Sequence, residues 1–382
     1  MLRTKYILIF VILSLISCSK GGDSIVSNDG SSGLYLASFE DPDEGLPGED
    51  ISASFWKWGF INNKGKEVID AKFKKADYFS EGLARVCIEK KECGFINEKG
   101  KFVINPIYEN AVSFSEGYAA VMINGKWGFI DKKGNIKINP VFEIDPDFSV
   151  GVECLYFHDG YALIHQQVEE DVYKWGFIDK DGNFLIDPIL HFALPFSEGL
   201  AYIKREFDSY THEFIDTSGN TVIKIEGLYG CGMFSEGLSP CLDMNFKGGF
   251  IDTNSNVVID YSLSMYSRDF HDGYAAYFDS NTETYGYINK KGEIEIPSQY
   301  KEASDFSEGL ACVKTESAYG FINKKGIFTI QPQYEGCCDF NNSLAHVTTS
   351  DEGCYINKSG EKIWCSDSES LVCKYKNYET NY

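Results

Sequence analysis

Seven acidic residues stand at one recurring place in this sequence, inside a Phe-Ser-Glu-Gly unit or a close variant: Glu81, Glu116, Asp159, Glu198, Glu236, Asp272 and Glu308. Carboxylates are hard oxygen donors, and a row of them would suit a divalent cation. A carboxylate in a recurring turn has a plainer use, which is to accept hydrogen bonds from backbone N–H groups. Repetition favours the plainer use. Asp179-Lys180-Asp181-Gly182-Asn183 has the look of a calcium loop, but its glycine falls too early for an EF-hand and no bidentate glutamate follows. It reads as a hairpin turn. The six histidines, His158, His165, His191, His212, His271 and His346, are scattered along the chain without a His-Glu-x-x-His pair. There is no Gly-x-Ser-x-Gly elbow and no phosphate-binding loop. A catalytic pair is needed once whereas these acids recur, so the sequence predicts no enzyme, no catalytic residue, no cofactor and no metal site. An enzyme here would be a hydrolase with its site in an insertion near residues 145–156.

Twelve cysteines add a second kind of chemistry. Cys231 and Cys337 occupy a position that is alanine in Ala76, Ala111, Ala193 and Ala303, and Cys241 stands where Val86 stands. A cysteine replacing a small apolar residue is expected as a buried thiol. Zinc needs four convergent ligands, and the Cys-x-x-Cys pairs that would suggest it are missing. The sequence does not fix how the eleven cysteines beyond Cys18 pair.

The elements that must carry these residues are repeats. Trp127-Gly128-Phe129-Ile130-Asp131 is an alternating aromatic run, Lys132-Lys133-Gly134 is a charged turn, and Asn135-Ile136-Lys137-Ile138 is a second apolar run. Together they make a β-hairpin. Its glycine position recurs at Gly59, Gly94, Gly128, Gly176, Glu213, Gly249, Gly286, Gly320 and Cys354, at intervals of 34 to 37 residues except for one of 48. The Phe-Ser-Glu-Gly unit alternates with it, from Phe79 through Phe114, Phe157, Phe196, Phe234, Phe270 and Phe306, fading at Phe340. On these two motifs the chain resembles the WG repeat family of bacterial proteins over roughly residues 55–364. That resemblance implies no activity. Prolines at Pro106, Pro140, Pro188, Pro297 and Pro332 end the second strand of the hairpin. The glycine beside tryptophan is read as room for an aromatic ring to lie over the backbone.

The predicted fold is therefore all-β: a tandem array of nine three-stranded antiparallel repeats, open and superhelical or propeller-like. Propellers are usually built of four to eight blades of four strands, so nine units of three strands favour the open form. The recurring aromatics Trp58, Trp127, Trp175, Tyr285 and Tyr319 are read as core rather than as sugar-stacking platforms.

Residues 1–17 have a positive start at Arg3 and Lys5 and an apolar run from Tyr6 to Ile16, the layout of a secretory signal too short to span a bilayer. Leu15-Ile16-Ser17-Cys18 resembles the bacterial lipobox, which implies lipidation of Cys18. Residues 18–54 read as a flexible tether, 55–364 as the repeat region and 365–382 as a C-terminal tail. With a formal charge of −22, from 57 Asp and Glu against 35 Lys and Arg, the chain repels nucleic-acid phosphate.

The expectation for function is a non-enzymatic, lipid-anchored protein of the bacterial envelope. Its repeat surface would bind a protein partner and it would touch the membrane through its lipid alone; the alternative is a carbohydrate or cell-wall binding module, which Trp56 or Tyr156 exposed on a concave face would favour. One sharper expectation concerns Asn357-Lys358-Ser359-Gly360-Glu361. A type I turn followed by a glycine bulge pairs Asn357 with Glu361. That register sets Cys354 opposite Trp364 and leaves Cys365 on the other face, so no disulfide between Cys354 and Cys365 is expected.

Overall fold

A computed structural model describes residues 33–40, 56–144, 155–169, 172–207, 210–264 and 267–366. The signal segment, Cys18, the insertion core at 145–154 and the tail beyond Ser366 lie outside these residues, as does the side chain of Trp56. The described residues contain no helix; they form nine small antiparallel sheets. The sheets are the blades of a nine-bladed propeller, numbered here 1 to 9 in chain order.

Blade 2 shows the plan. Its short first strand is Lys75–Ala76, its second Leu83–Glu89, its third Glu92–Asn97 and its fourth Phe102–Tyr108, hydrogen-bonded in that order. Seven of the nine sheets have four strands and two have three. The three-stranded expectation missed the first strand, which is only two residues long in most blades. It is followed by a hairpin turn on Glu81 and Gly82, whose φ values are 53° and 82°. Ser80 and Leu83 exchange both backbone hydrogen bonds across it, Ser80 N–H to Leu83 O at 2.9 Å and the reverse at 3.1 Å. This is a two-residue type I′ turn, with an acid where asparagine is usual. The charged turn in the next hairpin is the bulged type I form expected, with Gly134 N–H donating to Asp131 O at 2.9 Å, Asp131 N–H to Asn135 O at 3.0 Å and Gly134 at φ 82°.

The ring is closed. Glycines of the third-to-fourth turns pack on the fourth strand of the preceding blade, Gly134 on Ile104, Gly182 on Ile138, Gly326 on Ile296 and Gly360 on Ile330, while blade 6 has Ser255 at this place. Gly65 of blade 1 likewise meets the fourth strand of blade 9, here at the backbone carbonyl of Ile363. At this seam Tyr35, Ala37, Ile61, Leu344 and Tyr355 form one buried cluster, flanked by Phe39, Trp58 and Trp364. The Tyr355 hydroxyl donates to Leu36 O at 2.9 Å, and the Tyr35 hydroxyl donates to Asn342 O. Of the two arrangements compatible with the repeats, the structure is the propeller, and the preference for an open array was mistaken because strands were undercounted.

Two domain boundaries also move. Leu34–Glu40, assigned to the tether, is the second strand of blade 1, paired along its whole length with Trp56–Asn62. Leu34, Tyr35, Leu36 and Ala37 are buried. Its polar surroundings and the lack of a preceding Phe-Ser-Glu-Gly unit hid it, although Gly33 at φ 56° holds the place of the motif glycine. At the other end Lys362–Ser366 is a strand, so the repeat region runs two residues into the predicted tail.

The register of blade 9 corrects the disulfide expectation. The turn is as derived, with Asn357 N–H donating to Glu361 O at 3.0 Å. One pair further out the fourth strand bulges, between Tyr355 and Ile356, and the register slips to Cys354 opposite Cys365. The two are bonded, with Cα atoms 4.1 Å apart.

Candidate functional site

The chain path divides the ring into two unlike faces. Each blade is a meander, so the Glu-Gly turn and the third-to-fourth turn lie at one end of the blade. The second-to-third turn and the passage to the next blade lie at the other.

The first face is spent on holding the ring together. The Glu81 carboxylate accepts from Gly117 N–H of the next blade at 3.0 and 3.2 Å. The same bond recurs from Glu116 to Gly160, Asp159 to Gly199, Glu198 to Gly237, Glu236 to Gly273, Asp272 to Gly309 and Glu308 to Ser343. All seven predicted acids thus accept backbone N–H bonds as read, except that the donor belongs to the neighbouring blade. Five also meet a lysine from that blade's hairpin turn: Lys132 at Glu81, Lys180 at Glu116, Lys290 at Glu236, Lys324 at Asp272 and Lys358 at Glu308. The motif serines complete the belt, with Ser80 Oγ donating to Phe114 O at 2.7 Å and Ser307 Oγ to Phe340 O at 2.7 Å. Carboxylates so occupied are inter-blade staples.

The other candidates separate in the same way. Trp127, Trp175 and Tyr319 are buried and Trp58 and Tyr285 half-buried, so the aromatic ladder is core. Asp179 closes its own turn, accepting from Asp181 N–H at 2.9 Å and Asn183 N–H at 2.8 Å. In the equivalent turn of blade 3 the Asn135 side chain, more than any other contact, holds the Asp131 carboxyl below its ordinary range. Burial pushes His346 down to about 4 and lowers His212 and His158. His212 bridges Tyr202 and Leu228 O, at 2.5 and 2.9 Å, as a neutral core group.

Three features escaped the sequence reading. The first is oxidation: the nine described cysteines are all disulfide-bonded, among them the pairs Cys87–Cys93, Cys231–Cys241, Cys312–Cys337 and Cys354–Cys365. The buried thiols expected at Cys231, Cys241 and Cys337 are bonded because cross-strand or cross-blade neighbours bring a second sulfur alongside, which spacing alone does not show. Glu352 lies near Cys354 and Cys365, but their sulfurs are bonded to each other and are no ligands. The second is a half-buried ion pair, Arg85 with Asp77, bidentate at 2.6 Å for each bond, in which Arg85 also donates to Ala111 O of the next blade at 3.2 Å.

The third is the reason for the strand glycine. A Cβ on Gly128 would lie 2.6 Å from both the Ile138 carbonyl oxygen and the Pro140 nitrogen, and on Gly94 2.5 Å from Ile104 O and 2.7 Å from Pro106 N. What the glycine admits is the backbone of the bulged fourth strand, rather than an aromatic ring. Blades 5 and 9 carry Glu213 and Cys354 there, and both lack the proline. Their third and fourth strands pair with one register shift, where the other seven blades have two.

The second face is irregular. The passage from blade 3 to blade 4 ends there in Leu155 and Tyr156, which are buried in the core. The same face carries turns of unequal length after Leu200–Lys204, Leu238–Asp243 and Tyr274–Asp279. Around blades 4 to 6 this face exposes Val168, Val172, Phe207, Tyr210 and Met244, with Phe207 at 54% and Tyr210 at 63% of their full accessibility. Beside them Arg205, Glu206, Thr211, Glu213 and Lys224 line an open cleft. Arg205 Nε lies 3.1 Å from the Glu213 carboxylate, which also accepts from Thr221 Oγ1 at 2.8 Å. The sequence hinted at this place only through Glu213, the charged residue at a glycine position.

Comparison with known proteins agrees with this anatomy. The family model described as WG containing repeat matches residues 58–91, 94–127, 127–144, 175–206, 285–317 and 319–349. Among solved structures, one titled as the eukaryotic initiation factor superposes with a TM-score of 0.55 at 9% identity, covering 88% of this chain and 96% of that one. At that identity the likeness is one of fold. BamB from Moraxella catarrhalis (TM-score 0.43, 9% identity, 74% of this chain and 92% of that one) and the computationally designed Ika8 protein (0.42, 10%, 74% and 93%) are more distant. No curated protein matches the sequence.

Proposed function

From its membership of the WG repeat family, whose repeats here close into a nine-bladed ring, we propose that this chain is a non-enzymatic binding protein of the bacterial envelope. It is exported, held to a membrane through a lipid on Cys18, and binds a protein partner on its irregular face. The observation that carries the reading is the inequality of the two faces. One is regular and its polar groups bond to each other, while the other collects the long turns and exposed aromatic side chains, where recognition residues concentrate on rigid scaffolds. Disulfide bonding of the described cysteines supports export, since such bonds persist in oxidising compartments. The carbohydrate reading is weaker, because Tyr156, one of its two marker residues, is buried.

Crosslinking in native membranes followed by affinity capture tests the proposal. Capture of a specific protein that is lost on replacing Phe207 and Tyr210 with Ser supports it; retention of wild type on envelope polysaccharide with no protein captured overturns it. Anchoring is tested separately by detergent partition of Cys18→Ser, which is expected in the aqueous phase.

A further inference from the structure

The fourth strand of a blade ends the sheet, and its outward N–H and C=O groups are a template for another strand. Most blades guard this edge. Pro106, Pro140, Pro188, Pro297 and Pro332 interrupt it in blades 2, 3, 4, 7 and 8. Blades 1 and 6 lack the proline but bulge twice. Blade 9 bulges only once, but its fourth strand is tied to its neighbour by Cys354–Cys365 and packed at the seam through Ile363 and Trp364. Blade 5 alone among the described residues has a fourth strand with a single bulge, at Val222, and no proline, no disulfide and no seam against it. Thr211 to Phe214 pair without interruption with Glu226 to Ile223. This edge adjoins the cleft of Arg205, Glu206, Thr211, Glu213 and Lys224 and the exposed rim of Phe207 and Tyr210.

We infer that the edge Thr221–Glu226 is a docking site at which an extended, basic and apolar segment of a protein partner adds as a further strand. Strand addition draws its affinity from main-chain hydrogen bonds and its specificity from alternate side chains. Val222, 51% exposed, supplies apolar contact on the edge. Charge selects the partner's sign. The chain carries −22 and exposed Glu206 and Glu226 flank the edge; of the cations beside them Arg205 is already paired with Glu213, and exposed Lys224 lies on the edge strand itself. The same net charge opposes a second copy of this chain as the occupant. The inference rests on the protein-binding reading and names its site and partner chemistry.

The test uses the full chain and three capped heptapeptides. One alternates Lys and Val, one alternates Glu and Val, and one is the Lys/Val peptide N-methylated along one edge. Hydrogen exchange with mass spectrometry should show at least tenfold slowing of amides in 221–226 with the Lys/Val peptide. The Glu/Val and N-methylated peptides should bind at least tenfold more weakly. The double variant Glu213→Gly, Ile225→Pro rebuilds the guarded edge of other blades and should weaken binding at least tenfold. Val222→Lys, which leaves the backbone intact, should do so by repulsion if the double variant unfolds. Protection elsewhere, equal binding of the acidic peptide, or indifference to both variants overturns the inference. So does a dimer in sedimentation that Val222→Lys dissolves, because the occupant would then be a second copy. Capture of an envelope protein unaffected by either variant sinks the edge and leaves the binding reading standing.

Discussion

Gly128→Ala is the sharpest test of why the repeat needs its glycine. The new methyl carbon would sit 2.6 Å from Ile138 O and 2.6 Å from Pro140 N, both backbone atoms of the bulged strand. Neither can turn aside as a flexible side chain would, so the whole strand must retreat. Overpacking of this kind costs about 3 kcal/mol, the upper end of its usual range. Removing a strand glycine returns about 1 kcal/mol of conformational entropy, leaving a net loss of about 2 kcal/mol. For a ring of some 330 residues, at roughly 2 cal/mol/K per residue, that lowers Tm by about 3 °C. Glu213→Ala is the control. A Cβ already fits there, and only the partly exposed contacts with Arg205 and Thr221 are lost, a loss of under about 1 kcal/mol. Urea unfolding followed by tryptophan fluorescence, together with calorimetry, measures both. The reasoning is refuted if Gly128→Ala costs less than about 0.5 kcal/mol, or no more than Glu213→Ala.

A non-reduced digest should yield linked peptides for Cys87–Cys93, Cys231–Cys241 and Cys354–Cys365; thiol alkylation of these residues without reductant would contradict the pairing. Excising residues 214–249, a whole repeat period, should abolish cooperative folding, because a closed ring cannot lose a blade and still meet its own seam; a folded remainder of eight blades would count against closure. Glu81→Gln should cost under about 1 kcal/mol and lose most of that difference in 1 M salt, since its partner Lys132 is well exposed. His346 is buried, with a folded pKa of about 4 against 6.5 unfolded. Its contribution is therefore complete above pH 6.5 and lost as pH falls to 4, by about 3 kcal/mol. His346→Gln should flatten that part of the stability profile, and an unchanged slope would show that the ring is protonated freely.

How much was legible depended on the range of the interaction. Alternation and turn chemistry are local, so the hairpins, the bulged turn at Asp131 and the nine-fold repeat could be read directly. The role of the motif acids was half legible. A turn with an acid announces a carboxylate accepting N–H bonds, but only the packing of one blade on the next brings Gly117 beside Glu81. Leu34–Glu40 was missed because a single strand without its motif carries too little pattern to stand out from a Gly- and Ser-rich flank. The disulfide between Cys354 and Cys365 turned on one extra residue in one strand. The turn fixed the register of its nearest pair, and a bulge beyond it reset the rest. The irregular face was the least legible part, since loops obey no period.

The seam explains why the ring closes on itself. Seven boundaries between successive blades use the same acid-to-N–H staple, and interchangeable boundaries give no signal of where to stop. At the junction of blades 9 and 1 the acid is replaced by Asn342, and the lysine that would face it by Asn63. Their place is taken by an aromatic cluster of Tyr35, Tyr355, Phe39 and Trp364, with ring centroids of 5.5 Å for Tyr35 and Tyr355 and 5.5 Å for Phe39 and Trp364. Blade 1 offered to an internal blade would set these rings against an unmatched carboxylate, whereas against blade 9 they bury each other. Specificity of this kind needs both the attraction and the mismatch. The unlike seam, rather than the uniform staples, therefore selects blade 1 as the partner of blade 9.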